Sequence, residues 1–169
     1  MWVGSVDRSC GPKVRSRVLE RGAIACLFKE VGFGLIPGSG GVQHLTRLMG
    51  RGRALEVLLS AVDYDAEMAE RYGWINRALP AAGLGDFVKS LALRIVSFPA
   101  FGVAAIRDRV NAVALAPAED FRCDSSVFLD CVRKPEAQDR IKAAMKRGFQ
   151  TREAEMDLPT MLVDLPDYA

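Results

Sequence analysis

The sequence predicts an α/β chain: a short region of strand and glycine-rich turn, then helices almost to the end. Three observations predict it. Residues 23–28, AIACLF, form the short apolar run of a buried strand. Residues 30–41, EVGFGLIPGSGG, hold five glycines and Pro37, so the backbone there must be irregular. From residue 84 onward, apolar positions recur at helical spacing between prolines.

Taken in order, residues 1–13 lack periodicity, contain Gly-Pro and read as a loose tail. The opening MWVGSVDRSCGPKVRSRV has no apolar stretch of the secretory type. It is basic and acid-poor apart from Asp7, the bias of a mitochondrial transit segment, but it is short and broken by Gly and Pro. The expected location is cytoplasmic, with mitochondrial or peroxisomal as the alternative.

Val42, Leu45, Leu48 and Met49 have helical spacing, and Gly50 can stop that helix. Residues 54–61, ALEVLLSA, predict a second short and largely buried helix. Asp65 is placed to N-cap AEMAERY, with Gly73 as its C-terminal stop. Residues 74–79, WINRAL, read as a strand ended by Pro80. Helices follow over 84–96, from Pro99 to about 116, from Pro117, and from Pro135, since proline suits a first turn. The last segment, TREAEMDLPTMLVDLPDYA, carries two prolines and is expected to be ordered only where it packs. There is no internal repeat and no low-complexity segment.

Composition bounds the function. The 169 residues suffice for one domain with a real core. Net charge is +2, which argues against a nucleic-acid footprint. No apolar run approaches the roughly 18 residues of a membrane span. Cys10, Cys26, Cys123 and Cys131 show no CxxC or Cys/His spacing and are expected to be reduced thiols.

The chemistry narrows by elimination. GSGG lacks the Gly-Lys-Ser/Thr of a phosphate loop. Gly32-Phe33-Gly34 is followed by Pro37 rather than the third glycine of a dinucleotide fingerprint. Gly38-Ser39-Gly40 has the wrong spacing for a nucleophile elbow, so Ser39 is read as a small turn residue. His44, the single histidine, shares a helix face with Gln43 and Arg47 and is read as solvated or satisfied. One histidine leaves no obvious metal set. Glu30 remains, and two readings of it stand: an acid desolvated beside the glycine turn, its pKa raised into a useful range, or a cap of the turn that follows.

The stretch KEVGFGLIPGSGGVQHLTRLMGRGRALEVLLSA resembles the enoyl-CoA hydratase/isomerase (crotonase) superfamily in its second glutamate segment. Glu30, Gly34, Ile36, Pro37, Gly38 and Gly40 fall in the family's register, and Gly41, Gln43, Leu45, Gly50, Ala54 and Glu56 continue it. In DAEMAERYGWINRALP, the residues Glu67, Ala69, Gly73, Asn76 and Pro80 match the family's next segment. The resemblance covers residues of about 20 to 150.

It implies a partial crotonase-like ββα spiral over residues 20–80, a C-terminal helical trimerisation region over 81–150, and tails at 1–19 and 151–169. It further implies a catalytic acid at Glu30 and a backbone N–H at Gly38 that helps place a water against the substrate. The implied substrate is an acyl-CoA thioester such as a 2-trans-enoyl-CoA. CoA is then part of the substrate, and no separate cofactor or metal is expected. The expected assembly is a homo-oligomer, trimer or hexamer. Lys142, Lys146 and Arg147 form a basic helix face that is read as solvated rather than as a CoA phosphate site.

The family's other glutamate and its oxyanion hole lie upstream in a G-G-G-x-E segment, and none precedes Glu30 here. The expectation is a chain that starts part-way through the fold and has negligible hydratase activity alone, with a non-catalytic subunit as the alternative. A second departure is local: Lys29 stands where the family commonly has proline.

Overall fold

The computed structural model describes residues 18–20 and 28–165. Strand β1, Val18–Glu20, pairs in parallel with β2, Arg77–Leu79, in the register Val18↔Arg77 and Glu20↔Leu79. The strand expected over residues 23–28 lies outside the described residues except for Phe28, which is not in a strand. The expectations for Cys10, Cys26 and residues 1–13 lie outside them as well.

The glycine segment is irregular but not shapeless. It opens with a 3-10 turn, Glu30–Phe33, closed by Gly34 at φ 74°. Helix α1, Gly41–Met49, and α2, Arg51–Ser60, are separated only by Gly50, whose φ of 79° breaks the first from the second. α2 was expected to be largely buried, and it buries only Ala54 and Val57. Leu59 is 64% exposed, because the helix packs by one face and its Leu55–Leu59 stripe turns away.

Helix α3, Ala66–Tyr72, starts as expected: Asp65 Oδ1 accepts from Met68 N at 2.7 Å, and Gly73 at φ 85° ends it. The strand expected over 74–79 is shorter. Trp74 N and Ile75 N both donate to Ala69 O, at 3.0 and 3.4 Å, so these two buried residues close the helix end and pairing begins only at Arg77.

Helices α4, Ala81–Val96, and α5, Ala100–Ala114, carry no buried residue. Together α4 and α5 have the length and apolarity of a span, but they bend by 110°, and no single helix among the described residues would cross a membrane. Helix α6, Ala118–Val132, returns to α1. Helix α7, Pro135–Lys146, and α9, Leu158–Val163, both pack on the 3-10 turn, and α8, Arg152–Met156, joins them. Of the last segment, the described part packs through Leu158, Leu162 and Leu165.

Two apolar clusters result. One gathers Leu45, Met49, Val57, Trp74 and Ile75, with Phe28 against it. The other gathers Phe33, Ala144, Leu158, Leu162 and Leu165, with Val31 against it. Glu30 lies on the chain between them.

Candidate functional site

Glu30 is the first residue of the 3-10 turn. Its backbone is held by Leu35 N and Gly34 N, which both donate to Glu30 O. Phe28 before it and Val31 and Phe33 after it are drawn into opposite clusters, so the side chain is half-buried. Oε2 is fully buried and takes no hydrogen bond among the described residues. Burial pushes this carboxyl above the ordinary carboxylate range, while the backbone N–H groups of Glu30 and Lys29 pull it partly back. Of the two readings of Glu30, the buried, unpartnered Oε2 fits the desolvated acid, while the hold of the Glu30 and Lys29 N–H groups on the carboxylate fits the turn cap.

The glycine turn is roofed by aromatic rings. A methyl added at Gly38 would stand 2.9 Å from Phe128, one at Gly40 2.4 Å from Phe121, and one at Gly41 2.5 Å from Phe28. Gly40 also has φ 83° and serves as the N-cap of α1. Glycine is required here for close approach and, at Gly40, for the left-handed backbone too. The Ser125 hydroxyl donates to Gly38 O at 2.7 Å, with Phe121 O as a second acceptor at 3.0 Å. Helix α6 thus clamps the turn that carries Gly38 through Phe121, Ser125 and Phe128, one face of a helix.

A polar relay ties the same helix to α1. Arg47 Nη1 donates to Gln43 Oε1 at 2.9 Å, and Gln43 Nε2 donates to Asp124 Oδ1 at 3.4 Å. Arg47 also approaches Asp120 at 3.8 Å. Asp124 is 9% exposed, and its Oδ2 has no hydrogen-bond partner among the described residues. Sequence reasoning missed Asp124, Ser125 and both phenylalanines of α6, since their partners are remote in the chain.

The other flagged residues divide plainly. Ser39 is exposed on the turn, as a small turn residue would be. The His44 ring packs on Phe121 with centroids 5.3 Å apart. Lys142 pairs with Asp139 at 3.1 Å on an exposed face, and Lys146 and Arg147 are exposed. Cys123 and Cys131 are free thiols. Among the described residues no group of three His, Cys, Asp or Glu side chains is placed to hold a metal.

Chemically, the segment offers one partly buried carboxyl whose pKa is raised by burial, beside a glycine turn held by the rings of Phe121 and Phe128 and by the Ser125 hydroxyl.

Comparison with known proteins identifies the family. The sequence profile of the family described as enoyl-CoA hydratase/isomerase matches residues 17–154. The short-chain-enoyl-CoA hydratase of Clostridium acetobutylicum is 29% identical over 135 residues, covering 73% of this chain and 49% of that protein. The crotonyl-CoA hydratase of Syntrophomonas wolfei is 43% identical over 68 residues, covering 40% of this chain and 26% of that one. Among solved structures, a Streptomyces avermitilis protein provisionally assigned as an enoyl-CoA hydratase superposes with TM-score 0.78 at 46% identity, over 82% of this chain and 50% of that one. The carnitinyl-CoA hydratase of Mycobacterium avium superposes with TM-score 0.68 at 25% identity, over 77% of this chain and 51% of that one. The chain thus spans about half the length of the first of these relatives.

Proposed function

The chain belongs to the enoyl-CoA hydratase/isomerase family and carries part of the crotonase fold; on that premise we propose that it supplies the proton-donating half of a site that hydrates 2-trans-enoyl-CoA thioesters. The observation that supports this is Glu30: a half-buried carboxyl, with Oε2 unpartnered and its pKa raised by burial, at the register position of the family's acid. In the reaction, water adds at the β carbon and Glu30 delivers a proton to the α carbon, becoming a carboxylate. The Gly38 N–H helps place the water, on a turn that Ser125 and Phe128 hold still. Glu30 is then reprotonated in the next cycle.

The same reaction needs donors for the thioester oxygen and a base for the water. The resemblance puts both in a segment ahead of Glu30. Losing one such donor costs about 3–4 kcal/mol of transition-state stabilisation, so the 169 residues by themselves are expected to turn over negligibly. The reaction is expected to take place in the cytoplasm and to need no cofactor beyond the CoA of the substrate.

The test is hydration of crotonyl-CoA, followed by loss of the enoyl-thioester absorbance. It is run on this chain and on this chain joined to the half of the Streptomyces avermitilis protein that it does not cover. Activity is expected only from the joined protein and is expected to be lost in Glu30→Gln. A folded joined protein that keeps full activity as Glu30→Gln overturns the reading.

One observation favours a second reading, a non-catalytic subunit that assembles through its C-terminal helices as a trimer or hexamer. Helices α4 and α5 leave Val96, Phe101, Ile106 and Val113 between 69% and 82% exposed. Large apolar side chains left exposed in this number mark an interaction surface. Sedimentation at several concentrations distinguishes assembly from a monomer.

A further inference from the structure

Lys29 occupies the position before Glu30 where the family pattern commonly has proline. Its backbone is near-helical, φ −102° and ψ −1°. Its side chain is only 11% exposed. The ammonium lies 2.6 Å from Asp63 Oδ1 and donates to Ala61 O at 2.8 Å. Ala61 is the C-cap of α2, with φ 53°, so its carbonyl belongs to the helix end that has acceptors to spare and favours a cation.

Two of the three ammonium protons are thereby directed to the loop after α2. A lysine adjoining a carboxyl would otherwise be the first cation available to it, and an opposite charge within about 4–6 Å favours the ionised acid. Glu30 Oε2 instead has no hydrogen-bond partner among the described residues. The elements packed on the turn bring few rivals. From α7, Arg140 donates to Gly32 O and Leu162 O, both at 2.6 Å. From α2, Glu56 accepts from Tyr72 at 2.8 Å and Tyr64 at 3.4 Å. Helix α9 has no charged residue.

We propose that Lys29 is a positioning residue for the acid beside it: Asp63 and the end of α2 hold its buried ammonium away from Glu30, so the carboxyl sits in its turn with no cation as partner. The anchor does two things at once. It fixes the entry to the 3-10 turn through a side chain, where proline would fix it through its ring. It also keeps a charge that would ionise the acid occupied elsewhere. The inference rests on Glu30 being a proton donor, but its test needs no turnover.

The experiment is a pH titration of the Glu30 carboxyl by NMR in the full chain with carbon-13-labelled glutamate, the signal assigned by its loss in Glu30→Gln. Asp63→Asn releases the ammonium, and the Glu30 midpoint is expected to fall by about 1 unit, a tenfold gain in ionisation. The double variant Lys29→Met/Asp63→Asn removes both charges, keeps a long buried stem, and is expected to restore the wild-type midpoint. A folded Asp63→Asn with an unmoved midpoint overturns the proposal. So does a double variant whose midpoint rises by about 1 unit, since the ammonium would then already act on Glu30. If Asp63→Asn does not fold, the double variant decides alone, because it buries no unpaired charge. An inactive joined protein that still shows these titrations would strike the hydratase reading and leave this one standing.

Discussion

Leu162 closes over Gly32: a methyl group added at Gly32 would stand 2.7 Å from Leu162 Cδ1. The tail helix α9 is therefore the lid of the turn that begins with Glu30. Leu162 itself is 2% exposed and belongs to the cluster with Phe33 and Leu158. Two effects are expected from Leu162→Ala. Stability falls by about 2–5 kcal/mol, as for other buried leucines. Water also regains access to the turn, so the Glu30 midpoint moves down toward the ordinary carboxyl value. Denaturant unfolding measures the first and carboxyl NMR the second. A large loss of stability with an unmoved midpoint would show that the lid does not desolvate the acid.

Glu30→Gln is expected to stabilise the chain at neutral pH. Burial raises the folded-state pKa of Glu30. Between the unfolded and folded midpoints the folded chain holds more protons, so its stability falls as pH rises through that window. Above the folded midpoint the native state carries the whole cost of a half-buried carboxylate. Glutamine never ionises. The variant should melt higher than wild type at about pH 8 and alike at about pH 3, below both midpoints, where both side chains are neutral. A gain equal at both pH values would remove ionisation as its cause.

What was legible in the sequence was local. The Asp65 cap and the Gly73 stop act within one helix, and their geometry is as expected. Pro99, Pro117 and Pro135 mark helix starts because proline constrains its own neighbours. Glu30 and its glycines could be placed because motif and turn are contiguous. The clamp on that turn could not. Ser125 reaches Gly38 across 87 residues, and nothing in AEDFRCDSSVFLDCV distinguishes it from a solvent-facing serine. Asp124 fails the same way, since its burial depends on Gln43 of α1. Trp74 and Ile75 were read as strand because they are apolar, yet both amides are taken by Ala69 O at a helix end. Leu55 and Leu59 show the converse error, an apolar stripe with no partner among the described residues to bury it.

Gly40 and Gly73 form a matched pair. Their backbones are nearly identical, φ 83° and ψ 13° against φ 85° and ψ 14°. At Gly73 the nearest atom to an added methyl is Leu48 O, 3.5 Å away; at Gly40 it is the Phe121 ring, 2.4 Å away. Gly73→Ala should cost about 1–2 kcal/mol, the left-handed penalty alone. Gly40→Ala should cost a further 1–3 kcal/mol or so for displacing the ring. Phe121→Leu in the Gly40→Ala background should recover part of that excess and nothing in the Gly73→Ala background. Equal costs for the two alanines would mean that Phe121 does not clamp the turn.

The exposed face of α4 and α5 yields the last prediction. Phe101 and Val113 are 82% and 81% exposed, so neither contributes to packing within the chain. Phe101→Asp and Val113→Asp should each change the unfolding free energy by no more than about 0.5 kcal/mol in dilute protein. If a second copy covers this face, the same substitutions put an unpaired carboxylate into an apolar contact, which is costly. Sedimentation at rising concentration should then show wild-type chains associating and both variants remaining monomeric. Variants that unfold in dilute solution would show that the face is covered from within the chain. Variants that associate as wild type does would exclude it as the contact, and the subunit reading would lose the observation that favours it.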